Sequence, residues 1–203
     1  MKKIKLFAAI LVCMIIFTLT GCQSTADKSA ANSKILVAYF SRTGNQHEVG
    51  NISEGNTAII AKMIAKKTGG DLFEIKVLHD NYPTDDYYKL ASYAKKEQAQ
   101  NARPALAGKV ENFSDYRTIF IGYPIWWGDK PMPVYTFIES YKFKGKTVVP
   151  FCTHEGSGLD GNGVFEDTGA TVLEGIGIFG HTAQNESAKA DKEISEWLKK
   201  IGY

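Results

Sequence analysis

An α/β domain with a five-stranded parallel sheet is what this sequence predicts, on three observations. Residues 35–40 form a continuous apolar run, as a strand buried on both faces requires. The run stops at the hydroxyl-rich turn Ser41-Arg42-Thr43-Gly44-Asn45, and a helical stretch follows after Gly55. Beyond it, short apolar runs keep alternating with helix-period segments, the pattern of βαβ units joined by right-handed crossovers.

Taken in order, residues 35–40 are the first strand. Residues 57–68 carry Ile60, Met63 and Ile64 at helical spacing, and Gly69-Gly70 ends that helix. Residues 72–77 alternate more and read as a second strand nearer an edge. A loop with Pro83 leads into a helix over 87–100. Residues 118–123 are the third strand, and 134–141 are helical after Pro131 and Pro133. Residues 147–152 and 171–179 are the fourth and fifth strands. The last helix spans 187–201, with Ile194, Trp197, Leu198 and Ile201 on its inner face. These elements suit the strand order 2-1-3-4-5, in which ligands bind beyond the carboxyl ends of the strands, between strands 1 and 3.

The N-terminus has a different character. Lys2, Lys3 and Lys5 precede an apolar stretch at 6–19, whose 14 residues are short of the roughly 20 that a spanning helix needs. Leu19-Thr20-Gly21-Cys22 follows and resembles a bacterial lipoprotein signal. That resemblance implies a signal peptide over 1–21, a lipidated Cys22, a polar tether over 22–33 and a domain over 34–203. The expected place is the outer face of a bacterial cell membrane, held by acyl chains. An ordinary signal peptide with a chance cysteine, or an uncleaved anchor, is the alternative. Net charge is +2, and Lys2, Lys3, Lys5 and Lys28 against Asp27 place +3 in the first 33 residues, leaving −1 for the domain. Such a balance gives no basic surface for nucleic acid. Cys13 leaves with the signal, so Cys152 is the domain's single cysteine and offers no intrachain disulfide.

Three strand ends carry chemistry. The first supplies Ser41, Arg42, Thr43, Gly44 and Asn45, then Asn56 and Thr57 at a helix start, and so hydroxyls, amides and a helix dipole for a phosphate. The third supplies Tyr123-Pro124-Ile125-Trp126-Trp127-Gly128-Asp129, with two adjacent indoles. The fourth supplies Cys152-Thr153-His154-Glu155-Gly156-Ser157-Gly158, glycine-rich enough for close backbone approach to a flat ligand.

On these residues the chain resembles the flavodoxin family over 34–203. The resemblance implies a flavodoxin-like sandwich binding FMN. Ser41, Thr43, Gly44, Asn45, Asn56 and Thr57 would then hold the phosphate, Trp126 or Trp127 would pack on the isoalloxazine, and Arg42, Pro124, Ile125 and Gly128 would also belong to the cofactor-binding set. The Gly128 carbonyl would be free to turn toward flavin N5. Thr153, His154, Glu155, Gly156, Ser157 and Gly158 would line the pyrimidine edge, with His154 and Glu155 closest to the ring. Two departures stand out. The segment 46–55 intervenes within the phosphate loop, and the third loop lacks the tyrosine that often stacks on the outer flavin face. An open face favours an FMN-dependent oxidoreductase passing electrons from NAD(P)H to a quinone or similar small acceptor. A carrier serving only a redox partner protein, or a flavin binder without turnover, is the alternative.

Competing motifs fail on context. Gly175, Gly177 and Gly180 fit a dinucleotide pattern but lie in the fifth strand near the chain's end. Gly145-Lys146-Thr147 resembles a P-loop tail, but Ser140 occupies the required earlier glycine position. No His or Cys spacing suggests a metal.

Overall fold

The computed structural model describes residues 34–159 and 163–203. The signal, the tether and Cys22 lie outside the described residues. Strand β1 (Lys34–Tyr39) pairs in parallel with β4 (Asp71–Glu74) on one side and with β5 (Tyr116–Pro124) on the other. β5 pairs in parallel with β6 (Thr147–His154). β6 then pairs with two short strands, β7 (Thr171–Val172) and β8 (Ile176–Phe179). The lanes therefore run 2-1-3-4-5, as expected. The fifth lane is broken rather than continuous, and the gap falls opposite Pro150, which has no N–H to give a neighbouring strand.

Alternation along the strands divides the core in two. Leu36, Ala38 and Phe40 of the first strand region, with Ile119, Ile121 and Tyr123 of β5, face helices α2 (Tyr87–Ala99) and α3 (Met132–Ser140), which contribute Leu90, Val134, Phe137 and Ile138. Val37, Tyr39, Phe120, Val149 and Phe151 face the other way, onto α1 (Asn56–Thr68) and α6 (Ser187–Ile201). The α6 contacts are Ile194, Trp197 and Leu198 at helical spacing, and Gly202 stops the helix in the left-handed region. Asp86 caps α2 by accepting from the N–H groups of Tyr88 and Lys89. Pro131 and Pro133 start α3, two residues earlier than the spacing suggests.

Other differences have local causes. The second strand ends at Glu74 instead of Val77. Past it the chain turns to pair with an antiparallel segment, Val77 bridging Leu106 and the Leu78 N–H donating to the Ala105 carbonyl (2.7 Å). Residues 46–55 are not a plain loop: β2 (Gly44–Gln46) and β3 (Gly50–Ile52) form an antiparallel hairpin. Two short helices, α4 (Gly163–Glu166) and α5 (Gly180–Asn185), also escape the periodicity. The buried Lys146 ammonium donates to the carbonyls of Phe113, Ser114 and Tyr116, one acceptor for each of its protons, and so ties β6 to the turn before β5.

Gly122, within β5, is pressed against the Phe151 ring of the adjacent strand, leaving no room for a methyl group. Gly122→Ala is expected to lower unfolding free energy by about 1–3 kcal/mol through overpacking. Urea denaturation checks this, and an unchanged midpoint would show that the ring moves aside freely.

Candidate functional site

The first strand end and the start of α1 are bound to each other. The Ser41 Oγ accepts from the Ala58 N–H (3.0 Å), while the N-cap residue Gly55 brings no side chain. A Cβ on Gly55 would collide with Ser41 Oγ and the Arg42 carbonyl, so only glycine allows this approach. No acidic residue stands in the first turn of α1, and its other first-turn N–H groups lack intrahelical acceptors. Thr57, buried, shares a 2.8 Å hydroxyl hydrogen bond with buried Thr153 at the end of β6. Gln184 of α5 donates to the Asn56 Oδ1 (2.8 Å) and to the Glu54 carbonyl (2.7 Å), which leaves the Asn56 amide N–H groups as donors.

Arg42 is engaged by Asp80 and Tyr82. Its guanidinium turns to Asp80 in a close ion pair, donates to the Tyr82 carbonyl (3.1 Å) and lies over the Tyr82 ring at 5.1 Å. The side chain is only 10% exposed, and its Nε is a buried donor without a protein partner. Arg42 braces the loop from behind. Gly44 and Asn45 belong to β2 and pair with Ile52 and Asn51. A helix start with N–H groups that lack intrahelical acceptors, brought against the Ser41–Arg42 turn by the Gly55 contact, fits an anion such as the FMN phosphate.

The second strand end is a tight turn. Trp126 and Asp129 exchange N–H to carbonyl bonds (2.8 and 3.1 Å), and both central residues, Trp127 (φ 53°) and Gly128 (φ 76°), are left-handed, the signature of a type I′ turn. A tryptophan in that region costs roughly 1–2 kcal/mol. Two contacts offset the cost: the Trp127 Nε1 donates to the Ala91 carbonyl (2.8 Å), and the Lys95 ammonium lies 4.6 Å from the ring centre. Trp126 packs inward, edge-on to Phe40 (5.5 Å) and Tyr82 (5.6 Å). Asp129 anchors the turn from outside. Its Oδ1 accepts from buried Lys130 (2.8 Å) and its Oδ2 from the Tyr135 hydroxyl (2.6 Å). Burial alone would raise the Asp129 pKa, but the hydrogen bonds from Lys130 and Tyr135 outweigh it and hold the carboxyl below its ordinary value.

In the third loop, His154 Nδ1 accepts from the Gly156 N–H (3.0 Å), and burial lowers the ring's pKa, outweighing the neighbouring Glu155. A neutral imidazole engaged in its own turn is a structural group. Glu155 accepts from the His181 N–H (2.9 Å) and meets the His181 Nδ1 at 2.7 Å, so its carboxylate starts α5 as well as facing the site. Burial pushes the Cys152 thiol up to about 12, which makes it inert. Gly156 and Gly158 hold positive φ, as the glycine-rich reading expects.

These ends open into one cleft of about 240 Å³. Asn56, Pro124, Ile125, Trp126, Trp127, Thr153, His154, Glu155 and Ser157 line it, all of them residues that the sequence singled out. The opposite wall is made of Gln46 and His47, from the inserted segment that the sequence marks as a departure, and of Tyr87, Leu90, Ala91 and Ala94 of α2, which the sequence did not single out. The last four stand at i, i+3, i+4 and i+7, one face of a helix, and that spacing is the signal that marks them. His47 stacks on Tyr87 with ring centres 5.1 Å apart.

Because the folded pKa of Asp129 lies below its unfolded value of about 3.9, its stabilisation is present above that value and is lost as pH falls through the folded one. Between pH 6 and pH 3 the protein is expected to lose more stability than Asp129→Asn, which has no charge there to lose, by at most about 1 kcal/mol. The variant should already be weaker at pH 6, since the ion pair between buried Lys130 and Asp129 is lost. Parallel urea titrations check this; equal losses would remove Asp129 from the acid response.

The comparisons agree with this geometry. Residues 34–201 match the flavodoxin family model. A crystal structure of a Bacteroides eggerthii protein assigned as a flavoprotein is 37% identical, covering 85% of this chain and 99% of its own, with a TM-score of 0.67. A second, from Bacteroides uniformis, is 31% identical over 83% of this chain and 99% of its own, with a TM-score of 0.62. A Lactobacillus acidophilus flavoprotein solved in complex with FMN shares the fold at 21% identity, covering 77% of this chain and 99% of its own, TM-score 0.54. No curated protein matches the sequence. Family model, relatives and sheet order together establish that the chain belongs to the flavodoxin family, whose cofactor is FMN.

Proposed function

We propose that the domain is an FMN-dependent oxidoreductase, tethered by acyl chains on Cys22 to the outer face of a bacterial membrane, that passes electrons from NAD(P)H to a small acceptor. The observation that carries this reading is the cleft itself. It lies where the chain leaves β1 and β5, and it keeps a wall of hairpin and helix that a bound flavin does not require. FMN, when bound, supplies the reversible redox chemistry, and the protein orients and tunes it. The Ser41 hydroxyl and the open N–H groups at the start of α1 support a phosphate site there. Trp126 and Trp127 form an aromatic edge, and the Trp127–Gly128 peptide lies in a turn held by Asp129. His154 and Glu155 are committed to bonds within their own loop and with His181, so no general acid or base is assigned to them.

A carrier serving a redox partner protein is the second reading. Trp127, 52% exposed at the rim, is the feature that favours it, as a protein partner would cover such a residue. Two measurements decide. The purified full chain is expected to show oxidised-flavin absorbance and to bind FMN stoichiometrically; a colourless protein that FMN does not saturate ends both readings. In stopped flow, NADH or NADPH alone should then bleach the flavin, whereas no bleaching without a protein reductase favours the carrier.

The anchor is supported by the basic, apolar and Leu19-Thr20-Gly21-Cys22 pattern. Labelled fatty acid should enter the wild type and not Cys22→Ala, and the variant should leave the membrane fraction. Equal labelling of both would exclude Cys22 as the lipid site.

A further inference from the structure

We infer that the β2–β3 hairpin and helix α2 form the acceptor side of the cleft, a stacking site for a neutral, planar aromatic ring of the quinone class. The inference rests on the FMN reading of the facing wall and goes beyond it, because none of the residues it uses belongs to the expected cofactor set. Gln46, His47, Tyr87, Leu90, Ala91 and Ala94 form this wall. It is built rather than loose. The Asn45 N–H donates to the Thr84 carbonyl (2.7 Å), and Gly44 is packed against Thr84 so closely that a Cβ would clash. His47 and Tyr87 then stack, their planes 23° apart, and both residues line the cleft.

Chemistry narrows the occupant. No lysine or arginine lines the cleft among the described residues, and its one carboxylate, Glu155, is already engaged by His181. An anionic ring would find no counter-charge there, and a cationic one only a carboxylate already bonded to His181. Apolar Leu90, Ala91 and Ala94 suit a flat hydrocarbon face. Gln46 donates its amide N–H to the Thr43 carbonyl (3.1 Å), so the polar groups it leaves toward the cleft are uncharged. In the reaction the ring's two carbonyls become two hydroxyls. They take two electrons from the reduced cofactor, replenished by reduced nicotinamide or dithionite, and two protons from solvent.

The test uses the full chain loaded with FMN and reduced by dithionite. Reoxidation by menadione, neutral and planar, is compared with reoxidation by ferricyanide, charged and non-stacking. His47→Ala and Tyr87→Ala should each lower kcat/KM for menadione by about threefold to tenfold, the loss expected of one aromatic stacking contact. Ferricyanide rates and the Kd for FMN should stay within about twofold, and Tyr87→Phe should retain the menadione rate. Menadione and ferricyanide rates falling together, or a weakened FMN Kd, would assign the stacked pair to the cofactor and overturn the inference; so would unchanged menadione kinetics. If the wild type binds no FMN, the parent reading fails separately. Quenching of tryptophan fluorescence by menadione in the unloaded chain then tests the wall: saturable quenching weakened by Tyr87→Ala supports it, and unsaturable quenching sinks it.

Discussion

β1 and β5 lie side by side in parallel, yet the chain leaves their carboxyl ends toward opposite faces of the sheet. After β1 it crosses to the α1 and α6 layer; after β5 it crosses to the α2 and α3 layer. Two connections that diverge from adjacent strands cannot close over the sheet edge between them, and a crevice results. Every feature of the site follows from it. The segment 124–127, the loop 153–157, Asn56 at the start of α1, and Gln46 and His47 of the hairpin border this gap together with one face of α2, and the cleft is the space they leave.

A crevice is useful only if its rims hold still. Each rim here is fastened from the side away from the cleft. Arg42 is held by Asp80 and Tyr82, Asp129 by Lys130 and Tyr135, and Glu155 by His181. Arg42 and Asp129 are thereby turned into struts, and among the described residues Glu155 is the one carboxylate that lines the cleft beside amides, hydroxyls and aromatic rings. Partly buried ion pairs of this kind contribute little net stability but strongly favour one geometry over its neighbours.

Periodicity made most of the fold legible. Ile194, Trp197 and Leu198 repeat at helical spacing up to Gly202, so α6 spans the residues its pattern marks. Features that depend on a distant neighbour were not legible. The break in the fifth lane is imposed by Pro150 of the adjacent strand, and the early end of β4 by the segment around Leu106. The hairpin escaped because its strands, three residues each, carry no apolar alternation. At the site, sequence order brought the three loops together, since parallel topology alone decides where strand ends converge. It did not show where Arg42 points, because a buried guanidinium takes its direction from Asp80, 38 residues away. Nor did it expose the Tyr87 face of α2, because Tyr87, Leu90, Ala91 and Ala94 look like ordinary core.

Gln184 reaches back 130 residues to the Glu54 carbonyl and 128 to Asn56. The start of α1 therefore lacks its last brace until the end of the chain arrives. During synthesis from the N-terminus, β1, α1 and β5 can assemble early, while the binding end of α1 stays unfinished until α5 docks. Order in time thus runs opposite to order in sequence: the first loop made is among the last to become competent.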